Sequence, residues 1–192
     1  MGNSFSFSRR LKGQGLFPCS AGLVRLSFSP FSCLPHSPSF RWDAITLHYQ
    51  RADAPMRVAL EMRLSGGSQI LLAPQRNNNL GTVSIEVLTT EATPEEDWKS
   101  FMQQVVNKWT GYRPAGIEGG PYLNARPHWA KEWQGLEVRG KPIETYLKEE
   151  AYKEARVEFV KVLEEVVSSR GISLEETRNR FGNPLLERLF FE

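Results

Sequence analysis

Cysteine, clustered histidine and long apolar runs are scarce in this 192-residue chain, and each shortage removes a class of function. Both cysteines, Cys19 and Cys33, precede residue 40, so the remainder can form neither a disulfide nor a thiolate metal site. His128 has no second histidine or cysteine near it in sequence, which excludes a short metal-binding motif there. No apolar run approaches the roughly 20 residues that span a bilayer, so no transmembrane segment is expected. Neither a G-x-S-x-G nor a G-x-x-x-x-G-K-[ST] pattern occurs, which sets aside nucleophile-elbow hydrolysis and P-loop phosphate chemistry.

Acid is absent from residues 1–40, which carry Arg9, Arg10, Lys12 and Arg25. The rest therefore holds 20 basic against 22 acidic residues and is nearly neutral. A clustered cationic face for phosphate contacts is missing, so nucleic acid is not an expected partner. An apolar fraction of 40% with 24% charged residues is that of a soluble globular chain. The length suits one domain better than a two-domain enzyme.

Residues 1–40 repeat serine beside phenylalanine, and Pro30, Pro35 and Pro38 interrupt any periodicity. They read as a disordered or targeting-like leader, or as an extension from a misplaced gene start. The basic, Ser-rich composition fits a mitochondrial transit peptide except for its prolines, and Met1-Gly2 with Ser6 meets the short myristoylation pattern. Mitochondrial, membrane-associated and cytoplasmic locations all stay open.

From Arg41 the pattern changes. Strands are expected at Ala44 to Tyr49, Val58 to Leu64, Gln69 to Leu72 and Thr82 to Thr89, separated by Pro55, Gly66-Gly67 and Asn77-Asn78-Asn79. Alternation in the second strand puts Val58, Leu60, Met62 and Leu64 on one side and Glu61 and Arg63 together on the other. In the fourth, Val83, Ile85 and Val87 oppose Thr82, Ser84 and Glu86.

A helix follows, with Thr93 as N-cap, Pro94 at its first position and Glu96 completing a capping box. Trp98, Phe101, Met102, Val105, Val106 and Trp109 form one apolar stripe, and Gly111 ends it. Gly116, Gly119 and Gly120 with Pro114 and Pro121 make the next stretch a loop. A second helix runs from about Tyr152 to Gly171 with Ala155, Phe159, Val162, Leu163 and Val166 on one face, and Leu189, Phe190 and Phe191 are too apolar to lie in water. The fold class expected for residues 41–192 is α+β, an antiparallel sheet with helices packed on one face.

Two segments carry a site-like composition: Glu61-Met62-Arg63, and Arg126-Pro127-His128-Trp129-Ala130-Lys131 in the loop. By residues alone, Glu61 and Arg63 form an ordinary ion pair on one face of a strand. Arg126 and Trp129 can hold the loop by cation–π or packing contacts.

In order, the E-x-R strand, the R-P-H-W-x-K loop and the F-x-N-x-L-L segment Phe181 to Leu186 resemble the C-terminal half of the D-arabinono-1,4-lactone oxidase group of vanillyl-alcohol-oxidase-type flavoproteins. The resemblance covers roughly Phe40 to Phe191 and leaves out the flavin-binding half. It implies a cap or substrate domain, with FAD as cofactor, a sugar lactone as substrate and oxygen as acceptor. The implied catalytic residues are Glu61, Arg63, His128 and Lys131, with Arg63 polarising the substrate oxygen and Glu61 holding Arg63. Lys131 and His128 would address the flavin and the proton traffic. Ser84, Glu86 and Arg126 are candidates for substrate contact. Ala130 replaces the glycine common in the group, so fine substrate choice stays open. An alditol or a sterol as substrate, or a non-catalytic fragment or interaction domain, are the alternatives. Some relatives associate peripherally with membranes.

Overall fold

Alternation over residues 82–88 produces the strand around which the sheet is built. The computed structural model describes residues 23–28, 37–79, 81–113 and 120–192, with residues 23–28 and 37–40 as backbone only. Strands β1 (Leu23–Phe28), β2 (Glu61–Ser65), β3 (Thr82–Leu88) and β4 (Arg126–Pro127) form one antiparallel sheet in the order β2-β3-β1-β4. Helix α1 (Ser37–Tyr49) lies between β1 and β2, and α2 (Glu95–Thr110) follows β3. A two-residue hairpin, β5 (Glu137–Val138) with β6 (Lys141–Pro142), leads into α3 (Ile143–Tyr146), which continues into a π-helical turn over Leu147–Ala151. Helices α4 (Lys153–Ser168), α5 (Leu174–Phe181) and α6 (Pro184–Leu186) and a terminal π-helical turn, Glu187–Phe191, close the described chain. The architecture is α+β.

The core follows from two periods meeting. Val83, Ile85 and Val87 point from β3 to the side where α2 presents Trp98, Phe101, Met102, Val105, Val106 and Trp109, and all nine are buried in one cluster. Each such side chain is worth about 1.5–3 kcal/mol of apolar surface removed from water. α2 carries Glu95, Glu96 and Asp97 in its first turn, where negative charge suits the helix dipole, and its C-cap Gly111 donates to Lys108 O. Leu189 and Phe190 are buried in the same cluster, as the apolar terminus requires.

Several expectations are corrected. The sheet reaches into the segment read as a leader, because β1 sits between β3 and β4 and pairs with both. Alternating Leu26, Ser27 and Phe28 supplies a strand that the surrounding Ser-Phe repetition conceals. The composition boundary at residue 40 is therefore not a structural one, and α1 begins before it. Residues 1–22 and 29–36, with the transit and myristoylation readings, lie outside the described residues.

Ala44 to Tyr49 is helix, not strand. Pro38 falls in the first turn of α1, where proline is tolerated, and Ala44 and Leu47 face the core one helical turn apart. Packing against α2 overrides the local strand preference of Ile45, Thr46 and Tyr49. Gln69 to Leu72 is also not a strand: Ala73 N donates to Ile70 O at 3.1 Å, and Ser68 bridges Arg76. That loop closes on itself and, among the described residues, pairs with no strand.

At the start of α2 the N-cap is Pro94, and no side chain caps the helix. Thr93 instead turns inward, its Oγ1 2.6 Å from Thr89 Oγ1, while Thr89 donates to the Pro55 carbonyl at 2.6 Å. The hydroxyl is used to tie β3 to the α1–β2 connection. On α4, Ala155 is buried, but Val162 and Val166 are 41% and 55% exposed, so the predicted inward face is only partly covered.

Candidate functional site

Register decides which candidate residues share a surface. Glu61 of β2 stands opposite Glu86 of β3, and Arg63 opposite Ser84. Residues directly opposite in an antiparallel pair project to the same side, so all four lie on the face turned away from the α2 stripe. Residues 25 and 27 of β1 stand opposite Glu86 and Ser84, and Ser27 also opposite Arg126 of β4. Glu61, Arg63, Ser84, Glu86 and Arg126 thus belong to one polar face, which sequence period alone could not show across strands. The Arg25 position was missed, because its segment read as a leader.

The face is not uniform. Arg63 Nη2 donates to Glu61 Oε2 at 2.5 Å, and both side chains are about half exposed. The bond to Glu61, then the nearby Glu86 charge, raises the guanidinium pKa above its ordinary value. Two carboxylates facing each other across a ladder repel, and the nearby Arg63 charge offsets that repulsion. Ser84 and Glu86, in contrast, are buried at 1% and 5% exposure. β3 is covered on both faces, so these two residues support the patch from below while Arg63 and Glu61 meet solvent.

The second segment is built differently. Arg126 is 7% exposed; its Nε donates to Ala151 O at 3.0 Å and its Nη1 to Arg76 O at 2.7 Å. The Tyr152 ring lies 5.0 Å from the guanidinium carbon. Burial lowers its pKa, yet a guanidinium so placed stays charged at neutral pH. Its donors are occupied in joining three chain segments, which matches the loop-holding reading of the residues and weighs against substrate contact.

Trp129 does the same work beside it. Its Nε1 donates to Leu72 O at 2.7 Å, and its ring packs on Trp133, Tyr152 and Phe190. Lys131 N donates to His128 O at 3.0 Å, closing a four-residue turn. His128 Nδ1 accepts from Ala130 N at 3.2 Å, so the neutral ring carries its proton on Nε2. Lys131 is half-buried.

The two segments do not meet. β2 and β4 are opposite edges of the sheet with β3 and β1 between them, which separates them by about 14 Å at the usual strand spacing. The fold thus gives two polar stations along one sheet, Glu61 with Arg63 at one edge and the His128–Lys131 turn beyond the other. A mostly apolar groove of about 450 Å³ lies elsewhere, between α4, α5 and the terminal turn, lined by Phe159, Leu163, Phe181, Leu186 and Phe190. None of the four implied catalytic residues lines it.

Among the described residues no three His, Cys, Asp or Glu side chains could jointly hold a metal ion. No helix among them is long and apolar enough to cross a membrane. No family model, no curated protein and no solved structure matches the chain.

The donor set can be tested against a flavin. A cation on a tight turn and an imidazole N–H beside it are groups of the kind that suit the electron-rich edge of a reduced isoalloxazine ring. They fit one edge of such a group. A pyrophosphate cradle would have to come from outside the described residues.

Proposed function

We propose that this chain is the substrate-side domain of an FAD-dependent oxidoreductase that acts on a sugar 1,4-lactone of the D-arabinono-1,4-lactone type. Catalysis in this reading needs a flavin-binding half supplied by another polypeptide or by a longer form of the protein. The observation that carries the proposal is the Glu61–Arg63 pair, half exposed on the polar face and backed by Glu86. A guanidinium held by a neighbouring carboxylate is a fixed, permanently charged donor. Such a donor suits an oxygen on which negative charge grows as the adjacent carbon is oxidised.

In this reading Arg63 binds the substrate hydroxyl oxygen, and Glu61 holds Arg63 in place. The hydroxyl proton leaves to solvent at the half-exposed Arg63 station, while His128 through its N–H and Lys131 through its charge would meet the edge of the flavin at the other station. The flavin, when bound, supplies the hydride acceptor, and oxygen restores it. Arg126 positions the turn carrying His128 and Lys131. The spacing of the two stations asks for a ligand, or ligand plus cofactor, that spans about 14 Å along the sheet.

The test is the visible spectrum of the chain purified together with its flavin-binding half, followed by anaerobic mixing with D-arabinono-1,4-lactone. Flavin absorbance that bleaches in the wild type and not in Arg63→Ala supports the oxidase. Bleaching that survives Arg63→Ala, or that an alditol causes and the lactone does not, removes the proposed assignment.

A second reading, a non-catalytic binding domain or a relative with a sterol-like substrate, is favoured by one observation, the apolar groove beside α4. Its volume falls within the range of small-molecule pockets. Saturable binding of a sterol that Leu163→Asp abolishes would favour it over the lactone.

A further inference from the structure

β2 is an edge strand. Among the described residues it pairs only with β3, and all five of its residues are exposed. Its outer backbone groups form an open row of donors and acceptors, which is a template for another strand. Two usual protections of such an edge, proline and lysine, are absent from β2. Its apolar side is also bare, for Met62 and Leu64 are 36% and 73% exposed although they stand opposite the buried Ile85 and Val83. The core face of the sheet thus runs out past its cover.

The strand is complementary to itself. In Glu61-Met62-Arg63-Leu64-Ser65, an antiparallel copy centred on Met62 sets Glu61 opposite Arg63 of the second copy and Arg63 opposite its Glu61. Met62 then meets Met62, and Leu64 meets Leu60, on the apolar side. Centring on Arg63 would oppose two guanidinium groups, and centring on Glu61 two carboxylates. A shift by one residue sets apolar side chains opposite charges. Of the registers that overlap most of the strand, only the one centred on Met62 matches both faces.

We infer that β2 is a homodimer interface, joining two copies of the chain edge to edge about a two-fold axis at Met62. The strand order becomes β4-β1-β3-β2-β2-β3-β1-β4, one continuous eight-stranded sheet. The contact is isologous, so it closes after two copies and does not propagate into fibres. Charge opposition across the axis fixes the register, and burial of Met62, Leu64 and Leu60 supplies the apolar part. The inference involves the same Glu61 and Arg63 as the flavoprotein reading, but it is tested by mass and not by activity, so each can fail without the other.

Sedimentation velocity over a dilution series tests it on the full chain, whose mass is 21.9 kDa. The wild type is expected at twice that mass. Arg63→Glu gives a strand with two acids and Glu61→Arg one with two bases, so each alone is expected to be monomeric. Mixed in equal amounts they are expected to form a heterodimer, because every charge then faces its opposite. Leu64→Asp breaks the apolar side independently and is expected to be monomeric with unchanged circular dichroism. A wild type that stays monomeric at every concentration overturns the inference, leaving the edge open or for a different protein. Charge-reversed variants that still dimerise alone, or that fail to dimerise together while folded, overturn it equally.

Discussion

Arg126 donates through Nε to the carbonyl of Ala151 at 3.0 Å, linking the start of β4 to the end of the π-helical turn that precedes α4, across 25 residues. Its second donor reaches Arg76 O at 2.7 Å, so one buried cation holds the loop after β2, the site turn and the C-terminal helices in register. Arg126→Met fills similar volume but leaves both carbonyls without their donor. A loss of about 2–4 kcal/mol in unfolding free energy is expected, read from the urea midpoint. Arg126→Lys is expected to recover only part of it, since an ammonium cannot reproduce the planar fork. A change within a few tenths of a kcal/mol would mean that the tether is not structural.

Thr89 and Thr93 share one acceptor, the Pro55 carbonyl, with their hydroxyls 2.6 Å apart. Thr89→Val removes the main donor to a buried carbonyl and is expected to cost about 1–3 kcal/mol. Thr93→Val costs less alone. The double variant is expected to fall short of the sum, because the two groups act as one network. Additive losses in thermal denaturation would show two independent contacts.

Gly67 and Gly66 separate a packing requirement from a composition. A Cβ on Gly67 would lie 2.4 Å from Asn78 O, a backbone atom, whereas one on Gly66 meets nothing within 4 Å. Gly67→Ala is expected to destabilise the 66–79 loop by about 1–3 kcal/mol and Gly66→Ala to be near neutral. Equal effects in differential scanning calorimetry would contradict this close approach.

How much of this could be read beforehand divides along physical lines. The α2 stripe and the β3 alternation were legible because a single period, sustained over several turns or residues, encodes which side is buried. The end of α2 at Gly111 was legible from a cap residue. β1 was not, since a strand of six residues inside a Ser-Phe-rich stretch is identified only by the partners that pair with it. Ala44 to Tyr49 failed for the opposite reason: the local preference of Ile45, Thr46 and Tyr49 yields to contacts with α2. At the candidate site, the common side of Glu61 and Arg63 was legible from period two, but the meeting with Ser84 and Glu86 needed the register. Burial of Arg126 was invisible, because a sequence does not show which carbonyls a long side chain will reach.

Alkaline pH should unfold the protein earlier than acid–base composition alone implies. Burial pushes the Tyr146 hydroxyl up to about 12 from its ordinary 10.0, and burial likewise raises Tyr112 and Tyr152. A raised acid holds its proton longer in the folded state. Its contribution is therefore complete below pH 10 and is lost as pH climbs toward 12, amounting to on the order of 2 kcal/mol for Tyr146. Tyr146→Phe is expected to lower stability at neutral pH, through loss of the 2.7 Å bond to Ala125 O, and to flatten the fall between pH 10 and 12. An unchanged slope in chemical denaturation across that window would contradict the account.

The most direct test of the proposed function is isothermal titration of the full chain with D-arabinono-1,4-lactone, in the wild type and in Arg63→Ala. Arg63 is exposed and held by Glu61, so its removal leaves the core untouched. Saturable binding in the wild type that disappears in Arg63→Ala, while thermal stability is preserved, is the predicted result. Absence of binding in the wild type, or equal binding in the two proteins, would contradict the assignment of this sheet face to a sugar lactone.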